Sequence, residues 1–393
     1  MEVDPQLFLA IALILLSTKA LSIFMSRVHL PQVIGALLAG IILGPAVFGL
    51  IQANETIVAI AEIGVIILLF AAGMETDFRE LRKSFKASLL VSLIGIVVAL
   101  GGGFATAYLF GNPSFESFFI GVVIASMSTS ITVETLLELG KLKTKSGVTI
   151  MGASLFDDVI VIIMLAVIMG RGEGEFSIGA MGIQVLEIAL FFAFAVCAGF
   201  CISKLFNYMH KKHGARRRLM IFAMAYCFLM AYLAETFGLA DITGAYLAGI
   251  AFCSTRCVDF LETRTHSLSY MFFTPVFLAN IGLHISFDGM TSKIILFTAA
   301  LAVVAIISKI VGCGLGAKLS KFSNRESMQV GTGMVARGEV SFIVAGKGIA
   351  AGYLSSQMLP SIIVVVLISV IVAPLLLKAA FGKAATAVKV KKR

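Results

Sequence analysis

Two adjacent carboxylates and one lysine, all within long apolar stretches, are the residues best suited to do chemistry. Asp157 and Asp158 lie in the stretch 148–169, and Lys309 lies in the stretch 293–318. An ionisable side chain at such a depth costs about 2.5–3.5 kcal/mol on insertion scales, so each one needs a partner or a function. Because neighbouring residues of a helix point about 100° apart, we expect the two carboxylates to have different surroundings.

A single lysine can neutralise only one of these two carboxylates. If one aspartate pairs with Lys309, the other is left without a protein counter-charge, and either a proton or a metal cation would satisfy it. A group that must choose between a proton and a cation is a physical basis for exchanging one for the other. The alternative is a structural ion-pair network with no role in transport.

The elements that hold these charges are predicted to be membrane-spanning helices. The chain has 393 residues, of which 59% are hydrophobic and 13% charged, whereas soluble domains contain about 25% charged residues. This composition excludes an ordinary soluble enzyme. Since a helix needs about 20 apolar residues to cross a bilayer, uninterrupted apolar stretches predict thirteen spans. These are residues 7–25, 33–50, 56–73, 86–110, 117–139, 148–169, 180–204, 217–237, 240–254, 268–286, 293–318, 326–350 and 358–377.

The basic residues predict how these spans are oriented. When the loops are assigned alternately to two sides, 25 of the 31 Lys and Arg residues fall on one side, and only Arg171 and Lys293 fall on the other. The positive-inside rule then places the N-terminus outside and the C-terminus in the cytoplasm of a multi-pass cell-membrane protein. Span 1 follows Glu2 and Asp4 and lacks the basic leader of a signal peptide, so we expect it to be retained. The net charge of +9 thus reflects topology, and we expect no nucleic-acid partner.

The sequence also contains an internal repeat. Residues 33–41 (VIGALLAGI) and 242–250 (ITGAYLAGI) share six of nine positions at an offset of 209. This offset superposes spans 1–6 on spans 8–13 and leaves span 7 as a linker, so the second copy enters the membrane from the opposite face. Inverted repeats are typical of secondary transporters. The predicted divisions are a first repeat (1–170), a linker helix with a basic loop (171–215), a second repeat (216–378) and a basic cytoplasmic tail (379–393).

Each repeat has a polar run where its fifth span could be interrupted. Residues 126–132 (SMSTSIT) carry hydroxyl groups, and residues 335–341 (VARGEVS) contain Arg337 and Glu339. Unwound backbone at this depth is tolerated where it lines a polar cavity. The alternative is close helix packing through Gly and Ser. Arg337 and Glu339 could pair with each other or with helix ends.

These motifs resemble those of monovalent cation:proton antiporters, in the branch (CPA2) that contains NapA-type sodium/proton antiporters and Kef-type potassium exchangers. The resemblance covers essentially the whole chain. It rests on residues 35–45 (GALLAGIILGP), residues 64–75 (GVIILLFAAGME), the adjacent Asp157 and Asp158, and the run of residues 337–339 (RGE).

The resemblance implies an all-α fold of thirteen transmembrane helices, with inverted six-helix repeats and crossed, discontinuous helices 5 and 12. It implies a homodimer in which helices 1–3 and 8–10 form the dimerisation scaffold, while helices 4–6 and 11–13 form the ion-transporting core. It further implies that Asp158 carries the ion and that Asp157 pairs with Lys309. The hydroxyl residues that would border the site are Ser128, Thr129 and Ser130.

The expected function is exchange of Na⁺, or of K⁺ or Li⁺, for H⁺ by alternating access. The alternatives are a Kef-type K⁺/H⁺ exchanger or K⁺ efflux protein, a cation channel, and a Na⁺-coupled symporter. Because the chain ends soon after span 13, we expect it to lack the C-terminal nucleotide-binding domain of Kef-type members. No nucleotide loop, metal cluster or nucleophile motif is evident, so we expect no enzymatic activity and no cofactor other than the transported ions.

Overall fold

The computed structural model describes residues 5–76, 78–169, 178–213, 216–284 and 292–382, and the regular secondary structure of these residues is helical. Sixteen α-helices follow one another along the chain. They are α1 (Pro5–Arg27), α2 (Gln32–Leu43), α3 (Glu55–Glu75), α4 (Phe78–Leu109), α5 (Ser114–Ala125), α6 (Thr129–Glu138), α7 (Lys145–Met169), α8 (Ile178–His213), α9 (Arg216–Thr236), α10 (Asp241–Phe252), α11 (Val258–Leu268), α12 (Thr274–Leu283), α13 (Ser292–Leu319), α14 (Asn324–Gly333), α15 (Glu339–Ala350) and α16 (Leu359–Phe381).

Every predicted span overlaps helix in the structure, but the helices differ in length, and α2 ends at Leu43, short of the predicted end of span 2 at residue 50. Among the described residues, nine helical segments are long and apolar enough to cross a membrane by themselves. The other four predicted spans are shorter or divided: α2 and α10 have 12 residues each, and spans 10 and 12 are each divided between two α-helices. Span 5, which is one of the nine, is also divided, between α5 and α6.

Span 10 departs most from its predicted bounds. Helix begins at Val258, well before the predicted start at residue 268, and a π-helical turn over Ser269–Phe273 separates α11 from α12. Pro275 follows that turn. Because proline has no backbone N–H, the regular α-helical hydrogen bond is lost there, and the backbone widens into the π turn.

The helices make most of their contacts within two groups. In one group, α4 packs along α13, α5 and α7, and α14 packs against α13 and α16. In the other group, α3 packs against α10 and α12, α2 packs against α1 and α12, and α9 packs against α10. Fewer contacts join the groups, among them those of α6 with α2 and α3.

Glycines allow the closest of these helix pairs to form. A Cβ atom placed on Gly249 of α10 would overlap the carbonyl oxygen of Phe70 and lie 2.8 Å from the Cα of Gly73 in α3. Both contacts are with backbone, which cannot move aside as a flexible side chain can. Small residues at such positions are what lets membrane helices approach closely.

We therefore expect Gly249→Ala to destabilise the protein, because the added methyl group must push α3 and α10 apart. Overpacking of this kind costs about 1–3 kcal/mol. Thermal unfolding of the purified protein in detergent measures the effect. The matched control is Gly101→Ala in α4, where an added Cβ meets no atom within 4 Å. Equal unfolding temperatures for the two variants would contradict the prediction.

Candidate functional site

Two interrupted helices cross at the centre of the candidate site. The helix of span 5 stops at Ala125 and restarts at Thr129, and the helix of span 12 stops at Gly333 and restarts at Glu339. Both breaks overlap the polar runs in which the sequence predicts them. The interruption in span 12 starts at Met334, one residue before its polar run.

The two breaks satisfy each other's polar groups. The backbone N–H of Ser128 donates to the carbonyl oxygen of Ala336 at 2.8 Å. The hydroxyl of Thr132 donates to the carbonyl oxygen of Gly333 at 2.9 Å, and the hydroxyls of Ser126 and Ser341 lie 2.8 Å apart. Since unpaired backbone groups are costly in a dry interior, these bonds stabilise the unwound segments.

Arg337 binds the end of α5, and pairing with helix ends was one of the two roles open to it from the sequence. Its side chain is fully buried, and the guanidinium donates to the carbonyl oxygens of Ile124 at 3.0 Å, Val335 at 2.8 Å and Ala305 at 2.6 Å. Ile124 lies in the last turn of α5, where carbonyl groups lack helical partners. The positive charge of Arg337 therefore lies where the helix dipole is negative. Glu339 begins α15, but its side chain lies outside the described part of the chain.

Asp157 is held by charge and by a hydrogen bond. It lies on α7, it forms an ion pair with Lys309 of α13, and both side chains are fully buried. The hydroxyl of Ser92 in α4 donates to the other carboxylate oxygen at 2.6 Å. Three helices thus meet at the Asp157 carboxylate, and this arrangement fixes its position.

Asp158 points in a different direction from its neighbour, as the helical spacing predicts. Its side chain is 2% exposed, and the hydroxyl of Thr243 in α10 lies 3.5 Å from one of its oxygens. Asp157 therefore faces α4 and α13, whereas Asp158 faces a helix of the other packing group. The second carboxylate lies at the boundary between the two groups.

The three hydroxyl residues proposed to border the site are all buried at the crossing. Ser128 and Ser130 place their hydroxyl oxygens 3.0 Å apart. Thr129 begins α6, and within the described part of the chain its buried hydroxyl makes no hydrogen bond. Oxygen atoms of this kind are suitable ligands for a hard cation.

Two residues of the site were not identified from the sequence. Ser92 is one serine in a long apolar span, and nothing in its spacing marks it. Thr243 lies within the repeated motif of residues 242–250, which indicated symmetry but not chemistry. The alignment of the two copies could have marked Thr243, because it is a polar residue where the first copy has Ile34.

Comparison with known proteins identifies a family over nearly the full length of the chain. Residues 10–383 match the family described as "Sodium/hydrogen exchanger, transmembrane". The chain is 36% identical to the Na⁺/H⁺-K⁺ antiporter GerN of Bacillus cereus, over 98% of this chain and 99% of that protein. It is 35% identical to a Na⁺/H⁺ antiporter of Enterococcus hirae, over 94% and 96% of the two chains.

A solved structure has the same fold. The sodium proton antiporter MjNhaP1 of Methanocaldococcus jannaschii superposes with a TM-score of 0.71 over 95% of both chains, at 17% sequence identity. At this identity the similarity establishes the arrangement of the helices.

Proposed function

The chain belongs to the sodium/hydrogen exchanger family of membrane transporters, and we propose that it is a secondary active antiporter that exchanges Na⁺ for H⁺ by alternating access. GerN is named for exchange of K⁺ as well, so K⁺ is included as cargo, and Li⁺ is retained from the expectation based on the sequence. The cargo ions and protons are the only ligands that this mechanism needs.

One observation carries the mechanism: a second buried carboxylate, Asp158, lies beside the buried ion pair of Asp157 and Lys309. Lys309 compensates the charge of Asp157. Asp158 is the group at which a proton and a cation compete, because a carboxylate at this depth is stabilised by either. It releases its proton to the cytoplasm, binds the cation there, and is then exposed to the opposite side.

The hydroxyl groups at the crossing complete this proposed site. Ser128, Thr129 and Ser130 supply oxygen atoms beside the interrupted backbone. Arg337 holds the crossing together through carbonyl groups, and we assign Glu339 a supporting role by resemblance alone.

We also propose that the fold has thirteen membrane spans in two inverted repeats. The close approach of Gly249 to Gly73 supports this. At an offset of 209, Gly73 of the first repeat corresponds to Gly282 of the second, and Gly249 of the second corresponds to Gly40 of the first. A Cβ on Gly282 would lie 2.7 Å from the carbonyl carbon of Gly40. The offset of 209 also relates two further close contacts between helix backbones. Gly35 packs against the backbone of Leu21 in the first repeat, and Gly244 packs against the backbone of Met230 in the second.

The two packing groups support a division into a scaffold and a moving core. Spans 1–3 and 8–10 form the proposed scaffold, through which two copies form a homodimer. Spans 4–6 and 11–13 form the proposed core, which carries Asp158 past the scaffold. The distribution of basic residues supports an N-terminus outside and a cytoplasmic C-terminus.

Reconstitution into liposomes tests the proposed function. An imposed Na⁺ gradient is expected to drive protons against their own gradient, read with a pH-sensitive dye inside the vesicles. Na⁺, K⁺ and Li⁺ are compared across pH, and the membrane potential is recorded in parallel. A cation channel conducts Na⁺ but cannot drive protons uphill, so Na⁺ flux without proton movement would refute the proposal.

A further inference from the structure

A cavity of about 480 Å³ lies between α6 and the scaffold helices. Its walls come from α1, α2, the π turn with the start of α12, and a single residue of α6, which is Glu134. The volume is far above the 10–15 Å³ or so that one water molecule requires. We call it the Glu134 cavity.

Glu134 is a buried carboxylate that the proposed mechanism does not use. Its side chain is 7% exposed and lines the cavity, and within the described part of the chain its carboxylate makes no hydrogen bond and no ion pair. A buried carboxylate without such partners is stabilised only when a proton or a cation joins it. The cavity gives a cation the space to do so.

The position of Glu134 on α6 connects the cavity with the helix crossing. Ser130, Glu134 and Glu138 are spaced four residues apart, so they share one face of α6. Glu138 accepts hydrogen bonds from the backbone N–H groups of Gln32 at 2.7 Å and of Val33 at 3.4 Å, at the start of α2. The negative charge of Glu138 is thereby stabilised by the N-terminus of α2, whereas the carboxylate of Glu134 faces the cavity.

The other polar groups of the cavity supply further oxygen atoms. The hydroxyl of Ser22 donates to the carbonyl oxygen of Gln32 at 3.0 Å, and the hydroxyl of Tyr270 donates to the side-chain oxygen of Gln32 at 3.0 Å. Because both hydroxyls act as donors, their oxygens keep lone pairs available. Tyr270 lies in the π turn, and such turns are frequent at functional sites.

Lys19 adds a tethered positive charge to the same cavity. Its ammonium group lies 5.7 Å from the centre of the Tyr270 ring, a favourable cation–π geometry. A mobile cation near Glu134 would be repelled by this ammonium group. We therefore expect Lys19 to lower the affinity of the cavity for a cation and to keep occupancy reversible.

We propose that Glu134 anchors a second cation site, which takes a hydrated alkali cation on its way to Asp158. The inference rests on the proposed function and topology. With the N-terminus outside, the α1–α2 turn lies on the cytoplasmic side, so the cavity near this turn lies on that side as well. A hydrated ion suits the cavity, because the carboxylate disfavours a lipid tail and the volume exceeds that of a bare ion. Glu134 concentrates the cation but does not carry it across.

Equilibrium binding of ²²Na⁺ to purified Asp158→Asn protein tests the site without transport. We expect residual binding in this variant, loss of that binding in Asp158→Asn/Glu134→Gln, and no loss in Asp158→Asn/Glu138→Gln. The last variant is the matched control, since it removes the next carboxylate of the same helix face. Absence of binding to Asp158→Asn, or equal binding with and without Glu134, would overturn the proposal.

Exchange kinetics give a second, independent readout. We expect Glu134→Gln to raise the KM for Na⁺ by about threefold or more with little change in maximal rate, because the lost interaction contributes equally to the ground state and the transition state. Lys19→Gln is expected to lower KM, and to have no such effect when combined with Glu134→Gln. A fall in maximal rate at unchanged KM would contradict a cation site. Because ²²Na⁺ binding does not require exchange, the binding test still decides whether Glu134 anchors a cation site if the proposed exchange function proves wrong.

Discussion

Asp158→Asn is expected to reduce Na⁺-driven proton movement in liposomes to the level of protein-free vesicles. Asparagine has nearly the same shape as aspartate, but it neither releases a proton near neutral pH nor offers a full negative charge to Na⁺. Both cargoes therefore lose their shared site in one change. The loss is expected at every pH and at every Na⁺ concentration.

The folded state of this variant provides the control. Since the replacement is isosteric and removes a buried charge, Asp158→Asn protein should unfold at a temperature equal to or above that of the unmodified chain. If the variant is well folded but has lost exchange, the loss results from removal of the carboxylate and not from unfolding. Retained exchange would remove Asp158 from the mechanism, whatever the stability of the variant.

Lys309→Met is expected to produce the largest loss of stability. The substitution leaves the fully buried Asp157 carboxylate without its counter-charge, and breaking a buried ion pair from one side costs about 3–5 kcal/mol. The hydrogen bond from Ser92 offsets only part of this. Thermal unfolding in detergent gives the measurement.

A double variant and a surface control make this prediction specific. Asp157→Asn/Lys309→Met removes both charges, so we expect it to recover most of the lost stability, as a double-mutant cycle requires for a direct pair. Lys347→Met makes the same chemical change at an exposed position of α15 and is expected to have little effect. If Lys309→Met unfolds at the temperature of the unmodified chain, the ion pair does not stabilise the protein.

The positions of the helices could be predicted because the membrane imposes a length on each apolar stretch. The family resemblance of residues 35–45 and 64–75 is confirmed by the match over residues 10–383. The two helix interruptions were also predictable, since the dense run of hydroxyl residues at 126–132 and the charges of Arg337 and Glu339 stand out against the apolar residues around them. The early start at Val258 was not, because residues 258–267 are too polar to resemble a membrane span.

From the residues alone, only the charged members of the candidate site could be predicted, whereas Ser128, Thr129 and Ser130 were proposed from the family resemblance. Charges deep in apolar stretches are rare, so Asp157, Asp158 and Lys309 stand out in the sequence. Ser92 and Thr243 have no such contrast, because hydroxyl residues are common in membrane helices. The carbonyl partners of Arg337 could not be predicted either, since every residue has a carbonyl group and only the fold determines which ones the guanidinium can reach.

The contacts of Arg337 have a mechanical consequence. One guanidinium joins α5, the broken segment of span 12 and α13, and each charge-assisted hydrogen bond is worth about 1.5–3 kcal/mol. Shearing these elements past one another would break several such bonds together. The contact between Asp158 and Thr243, at 3.5 Å, is at the outer limit of hydrogen bonding and costs little to lose. In the proposed alternating-access mechanism, we therefore expect slippage along the α10 side of Asp158, with the crossed helices moving as one stiff block.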